Sequence, residues 1–314
     1  MRLVSTLRLL THARRGSCRG LGQDHKLPTF RPDRQMVSFA KMQGTGNDFV
    51  VIDNRTYQFS DAELSTCAAE WCPRRYGVGA DGLLALDKPE TAAADYRMHY
   101  VNADASRATM CGNGARCLFR FARTVGFEQT ELAFDTDAGL YRARQGGDPQ
   151  NAVRLFVPDV TDVRTEVTLD RPVPEPIHAL HYVHPGTEHL VAEVDDVHAV
   201  PVQEWGPQLR HDPHLGPAGA NVNFVERGED QDVSLRTYEK GVEAETPSCG
   251  TGVLAAAVLM ERRGPLDEND AVRVHTTGGT LRVGKASVDQ SLRRYLEGPA
   301  VSVFRGRVKR PDPE

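Results

Sequence analysis

The sequence predicts an α/β fold of the α+β kind, rich in strands, in which two halves of similar plan each enclose one helix. Short apolar segments alternate with turns rich in glycine and proline, and few segments have the periodicity of a helix. One stretch of the first half also returns in the second half with the same organisation. The chain has 314 residues, 39% hydrophobic and 26% charged, a globular composition long enough for one large domain or two ordinary ones.

Composition and charge argue against several classes of protein. The net charge of −5 is too mild for strong attraction to nucleic acid or an anionic membrane. No apolar run approaches the roughly 18–20 residues that cross a bilayer. The six cysteines form no CxxC pair, so neither a disulfide framework nor a zinc site is expected, and a reducing, cytoplasmic location is predicted. No nicotinamide, flavin or nucleotide motif is present, and the sequence predicts neither a cofactor nor a metal.

The N-terminal 35 residues differ from the rest of the chain. Residues 1–20 contain five arginines and no acidic residue. This composition is typical of an organelle-targeting peptide, but it also fits a leader created by a start codon upstream of Met36. We favour the second interpretation and expect residues 1–35 to form a disordered extension.

Strand-like segments dominate the remaining chain, and one clear helix stands among them. The helix begins at Ser60 and Asp61, which favour a helix N-terminus, and stops at Pro73. The segment 171–180 has three prolines within six residues and is predicted to be a connection. The predicted strands are residues 49–53, 82–86, 96–101 and 132–136 in the first half, and 152–158, 189–194, 222–226, 233–239, 272–277 and 280–284 in the second.

The internal repeat joins YVNADASRATMCGNGARCLFRFARTVG to TYEKGVEAETPSCGTGVLAAAVLMERRG. Each stretch has a strand ending in a polar residue, an irregular polar loop, Cys-Gly-x-Gly, and a helix that ends at glycine. Asn102 precedes Cys111 by 9 positions, and Glu239 precedes Cys249 by 10. Both helices are apolar enough to be buried. Two halves of this plan would place the two Cys-Gly helix starts face to face.

Facing helix starts of this kind predict proton-transfer chemistry. A helix N-terminus presents unpaired N–H groups and a positive dipole end, which lower the pKa of a cysteine towards neutrality and bind carboxylates. An amino-acid α-carboxylate would lie between both starts, with Cys111 and Cys249 on opposite faces of the α-carbon. One thiolate would remove the α-proton and the other thiol would deliver a proton to the far side. The N–H groups that would hold the carboxylate belong to Gly112, Asn113, Gly250 and Thr251.

Three blocks of the sequence, FAKMQGTGNDFVVID, NADASRATMCGNGARC and YEKGVEAETPSCGTG, resemble the signatures of diaminopimelate epimerase. The resemblance runs from residue 37 to 308. It implies two pseudo-symmetric halves, each a curved mixed sheet wrapped around a central helix, with a final strand near 301–308 that returns to the first half. The first half would comprise 36–156 plus 297–314 and carry Cys111, and the second would comprise 157–296 and carry Cys249. A homodimer is also plausible for this family.

The resemblance implies cofactor-independent epimerisation of LL-diaminopimelate to meso-diaminopimelate by two cysteines, a step towards lysine and peptidoglycan precursors. Cys111 and Cys249 match the two bases. Glu239 matches the residue that holds the substrate amine, and His189 matches a histidine near the catalytic pair. The remaining matches, which are all substrate-binding asparagines, are Asn47, Asn102 and Asn221.

Two positions depart from the family pattern and leave the substrate open. Thr187 stands where an asparagine is common, and Lys240 where an arginine is common; in the family both help to hold the carboxylate at the far end of the substrate. Lysine keeps the charge but loses the two-pronged donor. A racemase of another amino acid, of the histidine or proline type, is therefore an alternative. A cysteine hydrolase that uses His189, or a non-catalytic amino-acid-binding protein, is a second one.

Overall fold

The computed structural model describes residues 36–147, 151–229, 231–262 and 270–312. The predicted extension, residues 1–35, and Gly264, where the second repeat's helix was expected to end, lie outside the described residues. The first half begins with two strands, two helices and two further strands, and continues with a helix and three strands. These are β1 (Met36–Gly44), β2 (Asn47–Asp53), α1 (Asn54–Tyr57), α2 (Asp61–Trp71), β3 (Gly82–Asp87), β4 (Tyr96–Asn102), α3 (Gly112–Thr124), β5 (Glu131–Thr136), β6 (Gly139–Gln145) and β7 (Ala152–Phe156).

The second half has a similar order, with two additional short strands, β8 and β13, and one α-helix where the first half has two before its third strand, and a last strand follows it. Its elements are β8 (Asp162–Arg164), β9 (Ala179–His184), β10 (His189–Glu193), α4 (Val202–Arg210), β11 (Asn221–Arg227), β12 (Asp232–Glu239), β13 (Ala244–Thr246), α5 (Gly250–Glu261), β14 (Ala271–Thr276), β15 (Gly279–Val288) and β16 (Ser291–Pro299), followed by β17 (Val301–Lys309).

The pairing of the strands repeats between the halves. From β1 to β7 each strand pairs with the next, in the sequence antiparallel, parallel, antiparallel, parallel, antiparallel, antiparallel. The strands β9, β10, β11, β12, β14, β15 and β16 pair in the same sequence. An antiparallel pair of β7 and β16 joins the halves. The final strand β17 adds to β1 and the short strand β8 adds to β9, so the first strand of each repeat has one further neighbour.

Each half wraps its sheet around one helix, as predicted. The apolar residues of α3 pack in a core with β1 to β7, and those of α5 pack in a separate core with β9 to β12 and β14 to β16. The helices α2 and α4 pack against the other faces of the two sheets. The start of α2 is a capping box in which Ser60 and Glu63 bond each other's backbone N–H groups, which confirms the predicted N-cap. No helix among these residues is long and apolar enough to span a membrane.

Charge explains why the joining strand β16 was not predicted. Its sequence SLRRYLEGP has too many charges for a buried strand, yet Arg294 and Glu297 are buried. Arg294 pairs with Glu261, and Glu297 pairs with Arg154. Buried charges are tolerated when they are paired, and strand patterns do not reveal pairing. The predicted domain boundary at 296/297 falls inside β16, and the division into two halves at that residue remains a proposal.

Candidate active site

The starts of α3 and α5 meet between the two halves. Cys111 and Cys249 are the N-cap residues of these helices, both with extended backbone, and a glycine follows each. A Cβ atom added to Gly112 would lie 3.7 Å from Leu296 Cδ2, and one added to Gly250 would lie 3.3 Å from the same atom. One leucine side chain therefore contacts both helix starts, and the structure brings the two Cys-Gly segments together.

The second glycine of each Cys-Gly-x-Gly segment allows close packing against a strand. A Cβ at Gly114 would lie 3.0 Å from Leu84 Cδ2, and one at Gly252 only 2.3 Å from Asn223 Oδ1. Any larger residue at position 252 would displace the side chain of Asn223. The second glycine of each segment is thus required by the close packing of the helix against its sheet, in addition to any role of the segment in the reaction.

Asn113 links the two halves at this point. Its Nδ2 donates to the carbonyl oxygen of Ser248 at 3.2 Å and to Asn47 Oδ1 at 3.4 Å. Its Oδ1 accepts from the buried guanidinium of Arg116 at 2.8 Å, which fixes the orientation of the amide. The first turn of α3 is thereby attached to the residue that precedes Cys249.

Cys111 lies against a hydrogen-bond acceptor and a donor. Its Sγ is 3.6 Å from Asn47 Oδ1, and the backbone N–H of Gly114 donates to the sulfur at 3.4 Å. Asn47 Nδ2 donates to Asp81 Oδ2 at 2.8 Å, so the oxygen of that amide, not its nitrogen, faces the thiol.

Cys249 contacts a hydroxyl that is itself bonded to a histidine. Its Sγ is 3.4 Å from Thr251 Oγ1, which is 2.9 Å from His189 Nε2. The parallel pairing of β10 and β11 places His189 beside Asn221. The imidazole is fully buried, and burial lowers its pKa to about 3, so it is neutral at neutral pH.

Burial raises the pKa of both thiols, to about 11 for Cys111 and about 12 for Cys249. The carboxylate of Glu239 contributes to both increases, since a nearby negative charge opposes thiolate formation. The N–H of Gly114 and the side chain of Thr251 each lower one of the two values in part. The prediction that the helix starts bring these pKa values towards neutrality is wrong, because burial and Glu239 outweigh the helix termini.

Glu239 lies where its charge acts on both cysteines. It ends β12, and its Oε2 accepts from Thr246 Oγ1 at 2.7 Å. Burial raises its own pKa above the usual range of a glutamate. A buried carboxylate with one hydroxyl partner is suited to hold a cationic group of a ligand.

The residues predicted for the far end of the substrate form a second cluster, next to His189. Lys240 donates its backbone N–H to Asn221 Oδ1 at 2.9 Å, and its ammonium pairs with Glu188. Asn221 Nδ2 donates to the backbone oxygen of Glu188 at 3.1 Å. Thr187 donates its hydroxyl to the Glu188 carboxylate at 3.1 Å. The contact with Lys240 lowers the pKa of Glu188 to about 2, so the cluster contains both a cation and an anion.

Asn102 is not part of either cluster. It ends β4, as predicted, but its Nδ2 donates to Ser106 Oγ at 2.9 Å within its own loop. The structure therefore brings together the other predicted site residues, and among the described residues the only hydrogen bond of the Asn102 side chain is the one to Ser106.

Sequence reasoning missed several side chains that contact predicted site residues, among them Arg116 beside Asn113 and Thr246 beside Glu239. Glu188 pairs with Lys240, Asp81 orients Asn47, and Asn223 contacts His189. Only the last had a clear signal: it stands two positions after Asn221 in a strand, and residues so spaced share a face. Among the described residues, no group of three or more His, Cys, Asp or Glu side chains is arranged to hold a metal ion.

Known proteins are similar in sequence to this chain over most of its length. The family model for diaminopimelate epimerase matches residues 39–154 and 181–303. The chain is 40% identical over 270 residues to the diaminopimelate epimerase of Chlorobaculum tepidum, covering 85% of this chain and 99% of that protein. It is 34% identical over 279 residues to that of Aquifex aeolicus, covering 87% and 98%.

Solved structures share the fold at low identity. A phenazine biosynthesis protein of the PhzF family from Bacillus anthracis has a TM-score of 0.64 at 16% identity, over 87% of this chain and 99% of that one. A hydroxyproline epimerase from Agrobacterium vitis has a TM-score of 0.61 at 16% identity, over 89% and 94%. These structures establish the architecture, and the sequence relatives establish the family. The chain belongs to the diaminopimelate epimerase family.

Proposed function

We propose that this protein epimerises LL-diaminopimelate to meso-diaminopimelate without a cofactor, as a step towards lysine and peptidoglycan precursors. The observation that carries the proposal is the meeting of two cysteine-capped helix starts at Leu296, with Glu239 acting on both thiols. The names of the sequence relatives supply the substrate.

In this proposal the α-carboxylate binds the free N–H groups of both helix starts. One cysteine, as thiolate, takes the α-proton, and the electron pair left on the α-carbon delocalises into the carboxylate. The other cysteine, as thiol, then protonates the opposite face and becomes the thiolate. The substrate ammonium lies beside Glu239 and offsets the negative charge that raises both thiol pKa values. Binding of the correct substrate thus makes either thiol easier to ionise.

The far-end cluster favours diaminopimelate over other amino acids. Diaminopimelate carries both an ammonium and a carboxylate at its non-reacting end, and Lys240 and Glu188 offer one opposite charge to each. Proline has no such end, and histidine has no far carboxylate. The contacts of His189 also oppose the hydrolase alternative, because its Nε2 bonds Thr251 and neither cysteine.

The test is α-proton exchange in D₂O, followed by NMR, with LL-diaminopimelate and separately with proline, histidine and glutamate. We expect exchange and inversion with LL-diaminopimelate alone. Exchange only with another amino acid would mean that the protein is a racemase of that amino acid and uses the same two-base reaction. No exchange with any of them under reducing conditions would contradict the proposal.

We further propose that the protein works as a homodimer in a reducing compartment, the cytoplasm. The five cysteines of the described residues are all free. Among those residues β17 pairs only with β1, and it exposes Val303 and Phe304. An edge strand with exposed apolar side chains is typical of an interface. Light scattering should give a mass near twice the 34.6 kDa of one chain; a mass of one chain at micromolar concentration would contradict the dimer.

A further inference from the structure

Asn223 lies beneath His189 in an orientation that its other bonds fix. Its Nδ2 donates to the backbone oxygen of Leu190 at 3.1 Å, and its Oδ1 accepts from Thr237 Oγ1 at 3.0 Å. The amide nitrogen therefore faces His189 Nδ1, at 2.9 Å. Because an amide nitrogen only donates, the imidazole Nδ1 must accept.

This contact decides where the proton of His189 lies. A neutral imidazole has one donor and one acceptor, so an accepting Nδ1 leaves the proton on Nε2. Nε2 then donates to Thr251 Oγ1 at 2.9 Å. Asn221 Nδ2 also lies 3.4 Å from Nε2, but it donates to the backbone oxygen of Glu188 at 3.1 Å, and the shorter contact of Asn223 with Nδ1 determines the tautomer. The hydroxyl has one hydrogen, and with its oxygen already accepting from the histidine, that hydrogen is free to point at Cys249 Sγ. In each hydrogen bond of this chain, from Asn223 through His189 and Thr251 to the Cys249 sulfur, the donor is therefore the group nearer to Asn223.

We propose that Asn223 is a positioning residue that sets the direction of a hydrogen-bond relay through His189 and Thr251, so that the relay ends in a donor to the sulfur of Cys249 and stabilises its thiolate. The relay matters for catalysis only under the two-base function proposed above. Charged groups also act on the relay, but by charge and not by donation to the sulfur: they are Glu239 on Cys249, and Lys240, His184 and Glu188 on His189.

The relay compensates for a difference between the two thiols. Cys249 is 7% exposed, whereas Cys111 is half-buried. A reaction that inverts the α-carbon in both directions needs each cysteine to serve as thiolate in turn. Without an added donor, the more deeply buried thiol of Cys249 would ionise less readily than that of Cys111, since burial disfavours the charged form. On the other side Cys111 already has a donor, the backbone N–H of Gly114, besides the acceptor oxygen of Asn47.

The test measures the ionisation of each thiol separately. The wild type and two variants, Thr251→Val and Thr251→Ser, are treated with iodoacetamide near pH ~8.5 without substrate, and peptide mass spectrometry follows each cysteine. Only the thiolate reacts. We expect Thr251→Val to slow alkylation of Cys249 by roughly 10- to 100-fold, the value of one hydrogen bond to a charged group. The rate at Cys111 should not change, and Thr251→Ser should restore the rate at Cys249.

A second measurement tests the direction of the relay itself. Nitrogen-15 NMR of histidine-labelled protein reports which imidazole nitrogen carries the proton, and the His189 signals are assigned by their absence in His189→Gln. We expect an unprotonated Nδ1 in the wild type, and protonation of Nδ1 to rise in Asn223→Leu together with slower alkylation of Cys249. Thermal unfolding checks that each variant is folded.

Either of two results would overturn the relay: a protonated Nδ1 in the wild type, or equal rate changes at both cysteines in Thr251→Val. Neither measurement uses a substrate. A failure of the relay is therefore distinct from a failure of the proposed function, which only the α-proton exchange experiment detects.

Discussion

Cys111→Ala and Cys249→Ala should each reduce epimerisation by roughly 10²- to 10⁴-fold, the usual contribution of one general acid or base. Inversion needs one group on each face of the α-carbon, so neither cysteine can replace the other. The two helix starts meet at Leu296, and Glu239 acts on both thiols, so we expect both cysteines to face one substrate. The measurement is the rate of LL-diaminopimelate inversion by circular dichroism or coupled assay.

The same two variants offer a sharper result than loss of activity. A remaining cysteine can still remove the proton on its own face and return deuterium from D₂O there, giving exchange with retention. The two variants should therefore exchange the α-protons of opposite epimers. Exchange of the same epimer by both would refute the opposed arrangement.

Cys117→Ala is the matched control for these variants. Cys117 lies in the same helix as the residues that follow Cys111, and it packs in the apolar core. Burial raises the pKa of its thiol to about 12, and its sulfur has no part in the proposed reaction. We expect this variant to retain activity and to lose some stability because the core loses a buried sulfur. Loss of activity equal to that of Cys111→Ala would point to damage of the helix instead.

Much of the fold could be predicted from the internal repeat. A polar residue ending a strand, a loop, Cys-Gly-x-Gly and a helix occur twice in the sequence, and the structure repeats the whole order of strand pairing around them. The joining strand was missed because Arg294 and Glu297 look like surface residues until their partners are known. Pairing between distant strands, such as β7 with β16, leaves no local pattern to detect.

The sequence indicated most of the residues that the structure brings together here, but not the electrostatics around them. The sequence identified Cys111, Cys249 and Glu239, because motif and spacing are local properties. It predicted the wrong direction for the thiol pKa values, since depth of burial and the distance of a carboxylate are properties of the folded chain. The pairing of Lys240 with Glu188 was also missed, because the two residues are far apart in the sequence and only the folded chain brings them together.

Glu239→Gln should change catalysis and thiol reactivity in opposite directions. The substitution keeps an oxygen that can accept from Thr246 but removes the charge that would pair with the substrate ammonium. Loss of one partner of a buried charge pair costs about 2–5 kcal/mol, so we expect kcat/KM to fall by roughly 10²- to 10³-fold. Alkylation of Cys111 and Cys249 by iodoacetamide without substrate should become faster, because a negative charge that raises both thiol pKa values is gone.

A fall in kcat/KM together with faster alkylation of the two thiols distinguishes the electrostatic explanation from simple damage to the site. A misfolded variant would lose activity and expose all thiols, including Cys117, whereas Glu239→Gln should accelerate only the two thiols near its charge. Glu188→Gln is the matched control, since this carboxylate contacts neither cysteine: the rate at Cys111 should not change, and any change at Cys249 through His189 should be small beside that in Glu239→Gln. If Glu239→Gln left the rates at Cys111 and Cys249 unchanged or slower, Glu239 would not be the charge that keeps them protonated. Faster thiols in a slower enzyme would instead mean that the carboxylate suppresses both bases until an ammonium group arrives to neutralise it.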